Sequence, residues 1–349
     1  LHCAITEEAA REFNRGVLGF ANRKIISALG AFNLAESLGY DENACAAYRW
    51  QCWMLLGRFE DAWRESDSIS ARSGAGPHAL WDGRPFAGKR VIIRCLHGYG
   101  DAIQFIRYAS MIRQSAARVI VETHPEMVAL LACLPFVDGI ITWGTAPSLP
   151  RDAWDQQIEV TELPWAFRTT LAAIPGGIPY IHVPQGAQAR SSACLGERNG
   201  LKIGLVWASG MWNPARCIGL AELYPVLQCG GCSFYSFQRG VEREQMSGYS
   251  LHDTSVHSPE IVDTAADLMN MDLLITVDTM AAHLAGALGR PVWTLLPYEA
   301  DWRWMLDRED TPWYPTMRLF RQEVPGNWGP VVSRVAGELR TFRDTISRV

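Results

Sequence analysis

A chain of 349 residues exceeds one ordinary domain, and 48% hydrophobic with 20% charged residues is a globular composition, so two or three units with their own cores are expected. The net charge of −5, with no run rich in Lys or Arg, gives no overall basic field to attract a phosphate backbone, so nucleic acid is a poor candidate partner and none is expected. The longest apolar stretches, Leu268 to Val277 and Pro291 to Pro297, are far shorter than the roughly 20 residues of a membrane span, and the start has no signal-peptide pattern; the expectation is a soluble, cytoplasmic protein with no membrane span.

Residues 1–75 are helical in pattern and contain an internal echo. Leu18, Ile25, Ala28, Leu29 and Ala35 recur 34 residues later as Cys52, Phe59, Ala62, Trp63 and Ile69. This is the period of tetratricopeptide repeats, in which small Ala residues let paired helices approach. Gly57-Arg-Phe-Glu-Asp-Ala62 reads as the turn and second-helix start of such a repeat. Two repeats at most fit, so the segment is expected to pack on its neighbour or to extend a longer array, and it offers a surface for a protein partner. A plain helical hairpin is the simpler alternative. Ser68 to Lys89 reads as a connecting loop.

From Arg90 short apolar runs alternate with helical stretches: Val91 to Leu96, Arg118 to Glu122, and Gly139 to Trp143, with a helix expected over Ala102 to Gln114. After Pro175 to Pro184 and the polar stretch Gln185 to Gly200, the pattern restarts with Leu201 to Trp207, Cys232 to Phe237, Leu273 to Val277 and Pro291 to Leu296. Such alternation predicts two α/β units with parallel strands, over 76–190 and 191–349, whose ligands gather at the carboxyl ends of the strands. Nine cysteines in so large a chain read as reduced, mostly buried thiols; Cys229 and Cys232 form the only close pair, without the second pair a structural zinc needs.

Two loops follow strands with chemistry in them. In Leu96-His97-Gly98-Tyr99-Gly100-Asp101, glycines permit a tight turn and Asp101 stands at a helix start, where a carboxylate also serves as a plain cap. In Val277-Asp278-Thr279-Met280-Ala281-Ala282-His283, a strand turns into a helix whose first N–H groups would face an anion such as a diphosphate. His283 lies one turn further in.

These loops, with Ile103-Gln104-Phe105-Ile106-Arg107, Lys202 to Ala208, Asp263-Thr-Ala-Ala266 and the Trp-rich block Asp301 to Gln322, resemble bacterial tetratricopeptide-linked glycosyltransferases related to the ADP-heptose lipopolysaccharide heptosyltransferases, and more distantly O-linked N-acetylglucosamine transferases. The resemblance runs from about Trp81 to the end. It implies a glycosyltransferase-B fold of two Rossmann-like lobes, the first taking the acceptor and the second the nucleotide sugar. It implies Asp101 as general base, with His97 a second candidate, and Gly98, Tyr99, Gly100 and Gln104 on the acceptor side. Donor contacts are implied for Trp207, Ala208, Ser209, Arg216, Asp278, Thr279, Met280, Ala281 and His283.

With no Asp-x-Asp sequence to chelate a cation, no metal and no cofactor are expected; helix N–H groups with Lys202 or Arg216 would offset the leaving charge. The acceptor could be a polypeptide, glycolipid or small molecule, and attack opposite the leaving nucleotide would invert the anomeric centre. The chain departs from its relatives at Leu96-His97, where many carry Glu-Gln, at Met280, where a Gly is usual, and in the less polar loop Ser209 to Arg216. A non-catalytic nucleotide-sugar-binding module and a nucleotide-sugar epimerase on the same scaffold are the alternatives.

Overall fold

The computed structural model describes residues 6–73, 81–143, 153–196, 200–210 and 213–346, and the chain divides into two compact units. The first comprises the chain up to Arg84 together with two returning segments, Glu162–Ile174 and Glu299–Arg308. Its frame is four helices, α1 (Glu7–Ala21), α2 (Ile25–Ser37), α3 (Glu42–Leu55) and α4 (Phe59–Ser73). Thr6 caps α1 by accepting from the Ala9 N–H at 3.1 Å, and Asp41 caps α3 from Ala44 at 2.6 Å. The 34-residue echo has a structural counterpart in buried side chains: Ile25, Ala28, Leu29 and Ala35 on α2, then Cys52 on α3 and Phe59, Ala62 and Trp63 on α4. Leu18, by contrast, is 65% exposed.

Arg49 is 7% exposed in α3 and is clamped by Glu36 of α2 and Glu65 of α4, each at 2.7 Å. Burial works against its charge, but the two carboxylates more than offset this and hold the guanidinium firmly protonated. The returning segments are fixed by polar and aromatic contacts. The Trp63 indole donates to the Thr169 carbonyl at 2.8 Å, Arg168 grips Asp67 through two bonds of 2.8 Å, and Trp302 meets Trp50 edge-on at 5.4 Å. Gly57, at φ +70, makes the turn between α3 and α4, and a Cβ there would stand 2.9 Å from Leu171.

The second unit holds two sheets, parallel throughout. The first contains β1 (Arg90–Arg94), β2 (Arg118–Thr123), β3 (Gly139–Thr142) and β4 (Gln156–Glu159) in the order β3-β2-β1-β4. The second contains β5 (Leu201–Val206), β6 (Cys232–Ser236), β7 (His252–Asp253), β8 (Leu273–Val277), β9 (Val292–Leu296) and β10 (Met317–Arg321) in the order β10-β9-β8-β5-β6-β7. Every residue of β8 and β9 is buried, as expected of central strands covered on both faces. The helices that matter to the site are α5 (Tyr99–Phe105), α6 (Gln185–Leu195), α7 (Ile261–Met269), α8 (Met280–Ala287) and α9 (Gly329–Ile346). Residues of β5, β8, β9 and α9, among them Leu205, Ile275, Leu295 and Val335, share one core.

In each sheet the strand order reverses once, between β1 and β4 and between β5 and β8. Such a switch point opens a crevice beyond the carboxyl ends of the strands.

Several expectations are corrected here. The helix expected over Ala102 to Gln114 is broken: α5 ends at Phe105, Ile106–Tyr108 is a tighter turn, and a short helix follows at Ala109–Arg113. The connecting loop expected from Ser68 begins later, because α4 continues to Ser73. The polar stretch after Pro184 is α6, which buries Ala187, Ser191 and Leu195 at four-residue spacing. Strands β4, β7 and β10 were not read in the sequence. Among the described residues no helix is long and apolar enough to cross a membrane.

Candidate active site

At the switch point of the second sheet, the loops after β5 and β8 meet through charge. Arg216, in a tight turn at Pro214–Arg216 whose start Asn213 caps, places a guanidinium nitrogen 3.3 Å from Asp278 Oδ2. Asp278 is 3% exposed, so its charge is carried almost wholly inside the protein and needs this partner. Its other oxygen lies 3.9 Å from His283 Nε2. His283, itself buried, has Nδ1 3.1 Å from the Tyr314 hydroxyl.

Thr279 is the residue before α8, but its hydroxyl meets that of Thr276 at 3.1 Å and does not cap the helix. Met280 is half-buried and Ala281 buried in the first turn. An amino end without a side-chain cap is a natural seat for an anion. The loop after β5 is held differently. Gln238 Oε1 accepts from the N–H groups of Trp207 and Ala208 at 3.0 and 2.9 Å, and its amide donates to the Ala208 carbonyl at 3.2 Å. Beside this loop a cavity of about 260 Å³ is lined by Ala208, Ser209, Cys217, Gly219, Glu242 and Gln245, among others.

At the switch point of the first sheet, β1 runs into exposed Leu96, His97 and Gly98, and α5 begins at Tyr99. Asp101 reaches back one turn: its Oδ2 accepts from the Gly98 N–H at 3.1 Å. Tyr99 is half-buried, edge-on to His124 at 5.0 Å. Across the switch point, at the end of β4, Glu159 is 2% exposed and accepts from the Thr161 N–H at 2.6 Å and from the Thr161 hydroxyl. Burial pushes its carboxyl up, partly countered by Thr161 and by the charge of neighbouring His97.

The two switch points come together where Gly100 packs on His283, so that α5 and α8 lie side by side. The structure thus gathers Gly98 to Asp101 with Arg216, Asp278, Thr279, Met280, Ala281 and His283. Three sequence expectations are corrected. Gln104 is fully buried in α5 and has no face toward an acceptor. Trp207 is enclosed in the core of the second sheet and supports its loop from beneath. Lys202 lies at the opposite, amino end of β5, about 13 Å of strand from Val206, with its ammonium on the Gly196 carbonyl at 2.8 Å. Of the two proposed cations, only Arg216 reaches the site.

Sequence reasoning missed Glu159, Gln238 and Tyr314. Tyr314 falls inside the Trp-rich block that the sequence singled out; nothing local marks the other two. Among the described residues no three His, Cys, Asp or Glu side chains converge as metal ligands. Cys229 and Cys232 lie with their sulfurs 3.8 Å apart, and Arg343 donates to the Gly230 carbonyl between them at 2.8 Å.

Two parallel α/β sheets with facing switch points, preceded by a helical segment, define the glycosyltransferase-B class of fold. Among solved structures, E. coli ADP-heptose lps heptosyltransferase II superposes with a TM-score of 0.53, covering 74% of this chain and 99% of that chain at 14% identity. The glycosyl transferase family 9 structure from Veillonella parvula DSM 2008 gives a TM-score of 0.50, covering 68% and 87% at 13% identity. In sequence, the chain is 27% identical over 323 residues to Protein FlbA of Caulobacter vibrioides, an alignment taking in 83% of this chain and 54% of that protein. The chain therefore spans about half the length of the curated relative it matches. No protein-family model matches it.

Proposed function

We propose that the chain is a glycosyltransferase that moves a sugar from a nucleotide-diphosphate donor to an acceptor hydroxyl. The observation that carries the reading is the contact of Gly100 with His283, which puts the turn bearing Asp101 beside the uncapped amino end of α8. In this reading the cavity beside Ala208 and Ser209 takes the nucleoside, and the diphosphate lies toward the α8 N–H groups and Arg216. Asp278, a carboxylate, would repel phosphate; it is suited to accept from sugar hydroxyls while Arg216 balances its charge.

Asp101 then draws the proton from the acceptor hydroxyl as it attacks the anomeric carbon, assistance worth about 10²–10⁴ in rate. Attack opposite the departing nucleotide inverts that carbon. The developing charge is offset without a metal, by preorganised N–H dipoles and one guanidinium. The helical first unit, in tetratricopeptide manner, recruits the acceptor or a partner protein.

The test is release of free nucleotide from a panel of nucleotide sugars, with and without candidate acceptors. Asp101→Asn keeps an oxygen for the Gly98 N–H while removing the base. A fall of at least a hundredfold is expected, and unchanged turnover in this variant ends the mechanism. The Asp101 bond to Gly98 also favours a second reading, in which the carboxylate is only a cap and the lobes bind nucleotide without turnover. That reading requires stabilisation by nucleotide with no product from any donor.

A further inference from the structure

Behind His283 lies a buried block of one cation and aromatic rings. Arg107, 3% exposed and one turn beyond α5, places its guanidinium carbon 4.5 Å from the centre of the Tyr180 ring and 4.9 Å from that of Tyr314. Its Nε donates to the Gln104 carbonyl at 2.8 Å, and one terminal nitrogen donates to the carbonyls of Trp313 at 2.9 Å and Pro175 at 3.3 Å. The other donates to the Tyr180 hydroxyl at 3.0 Å, and that hydroxyl spends its own hydrogen on the Ile103 carbonyl at 2.8 Å. The cation is thus locked between the helix carrying Asp101 and the residue before Tyr314.

This arrangement decides where the protons sit around His283. A guanidinium only donates, so it cannot take a hydrogen from Tyr314, whereas a neutral imidazole nitrogen can. Burial first, and Tyr180 beside it, push the Tyr314 phenol well up against the opposing pull of Arg107, so the hydroxyl keeps its hydrogen to give, and the Tyr180 oxygen is a rival to His283 for it. On the far side of the ring, Nε2 faces the Asp278 carboxylate, which attracts an N–H and repels a lone pair. The Asp278 side therefore selects the Nε2–H tautomer, and that leaves Nδ1 as the acceptor that draws the Tyr314 hydrogen away from Tyr180.

We infer that Tyr314 is a positioning residue for His283: its hydroxyl donates to Nδ1, fixes the Nε2–H tautomer and aims that N–H toward Asp278, while Arg107 anchors the Tyr314 ring to the turn after α5. The functional consequence rests on the donor-side reading of His283 given above. An imidazole held this way presents its N–H beside Asp278, so a sugar hydroxyl giving its hydrogen to that carboxylate can accept from Nε2. It is not a proton acceptor, and the base role stays with the first sheet's loop.

The experiment is NMR on protein labelled with ¹⁵N-histidine, the His283 signals being assigned by their loss in His283→Gln. The native protein is expected to show Nε2 protonated and Nδ1 as a hydrogen-bond acceptor. Tyr314→Phe keeps the ring over Arg107 and is expected to lose this fixed pattern, with turnover in the nucleotide-release assay falling about tenfold, the scale of one hydrogen bond. A native spectrum with the proton on Nδ1, or an unchanged tautomer in Tyr314→Phe, overturns the inference. The native spectrum alone is decisive if the variant misfolds. Since it needs no substrate, an Nε2–H spectrum in a protein that turns over no nucleotide sugar upholds the tautomer and removes the transferase reading.

Discussion

Gly100 and His283 touch so closely that a methyl group on the glycine would stand 2.8 Å from His283 Cδ2, well inside contact distance. Gly100→Ala must therefore push the imidazole off Asp278 and Tyr314 or separate α5 from α8. Overpacking of this kind costs about 1–3 kcal/mol. A lowered melting temperature together with slower nucleotide release is the expected result; an alanine variant as stable and active as the parent would mean that the helices yield freely.

Arg216 and Asp278 form a pair in which the acid has almost no solvent of its own. Arg216→Ala is expected to destabilise by roughly 3 kcal/mol, the lower end for a broken buried pair, because His283 remains 3.9 Å away. Removing both charges, in Arg216→Ala with Asp278→Asn, is expected to cost less than removing the arginine alone. Denaturant unfolding of the three variants measures this directly.

Gln238 satisfies two backbone N–H groups and one carbonyl of the loop after β5. Gln238→Ala strands them in a buried place and is expected to cost about 2 kcal/mol. Because those N–H groups then become available, amide exchange at Trp207 and Ala208 should accelerate more than exchange in neighbouring β8. Uniform acceleration across the sheet would show that Gln238 has no local role.

Asp67 gives a pH signature in the first unit. Burial tends to raise its carboxyl, but the bonds from Arg168 and Trp165 outweigh this and hold it below the usual carboxylate range. A depressed folded value means that the bonds stabilise fully above the unfolded value, about 3.9, and lose their effect as pH falls through the folded one. Asp67→Asn should therefore be less stable near neutrality, by on the order of 1 kcal/mol or less at so exposed a site, and the difference should close in acid. A gap independent of pH would argue against the charge.

Much of the fold was legible because central strands announce themselves. Leu273 to Val277 and Val292 to Leu296 are short runs of branched and large apolar residues, and every one is buried. The turns of the candidate site were legible for the same local reason: Asp278 directly follows β8, and Gly98, Gly100 and Asp101 lie in the loop after β1 and the first turn of α5. What stayed hidden depends on partners far along the chain. Gln156 and Glu159 of β4 are polar yet buried, and Ser191 of α6 is buried because it donates to Asp267 at 2.5 Å, 76 residues away. Arg107 and Trp313 are separated by 206 positions, and no window of sequence contains both.

The helical first unit is visited by the chain three times, through its first 84 residues, Glu162–Ile174 and Glu299–Arg308. A single cut after α4 would therefore not free a portable cassette. It would leave Trp165, Arg168 and Trp302 without Asp67 and Trp50 to receive them, so grafting these helices onto another scaffold, or exchanging them between relatives, calls for five splice points in place of one.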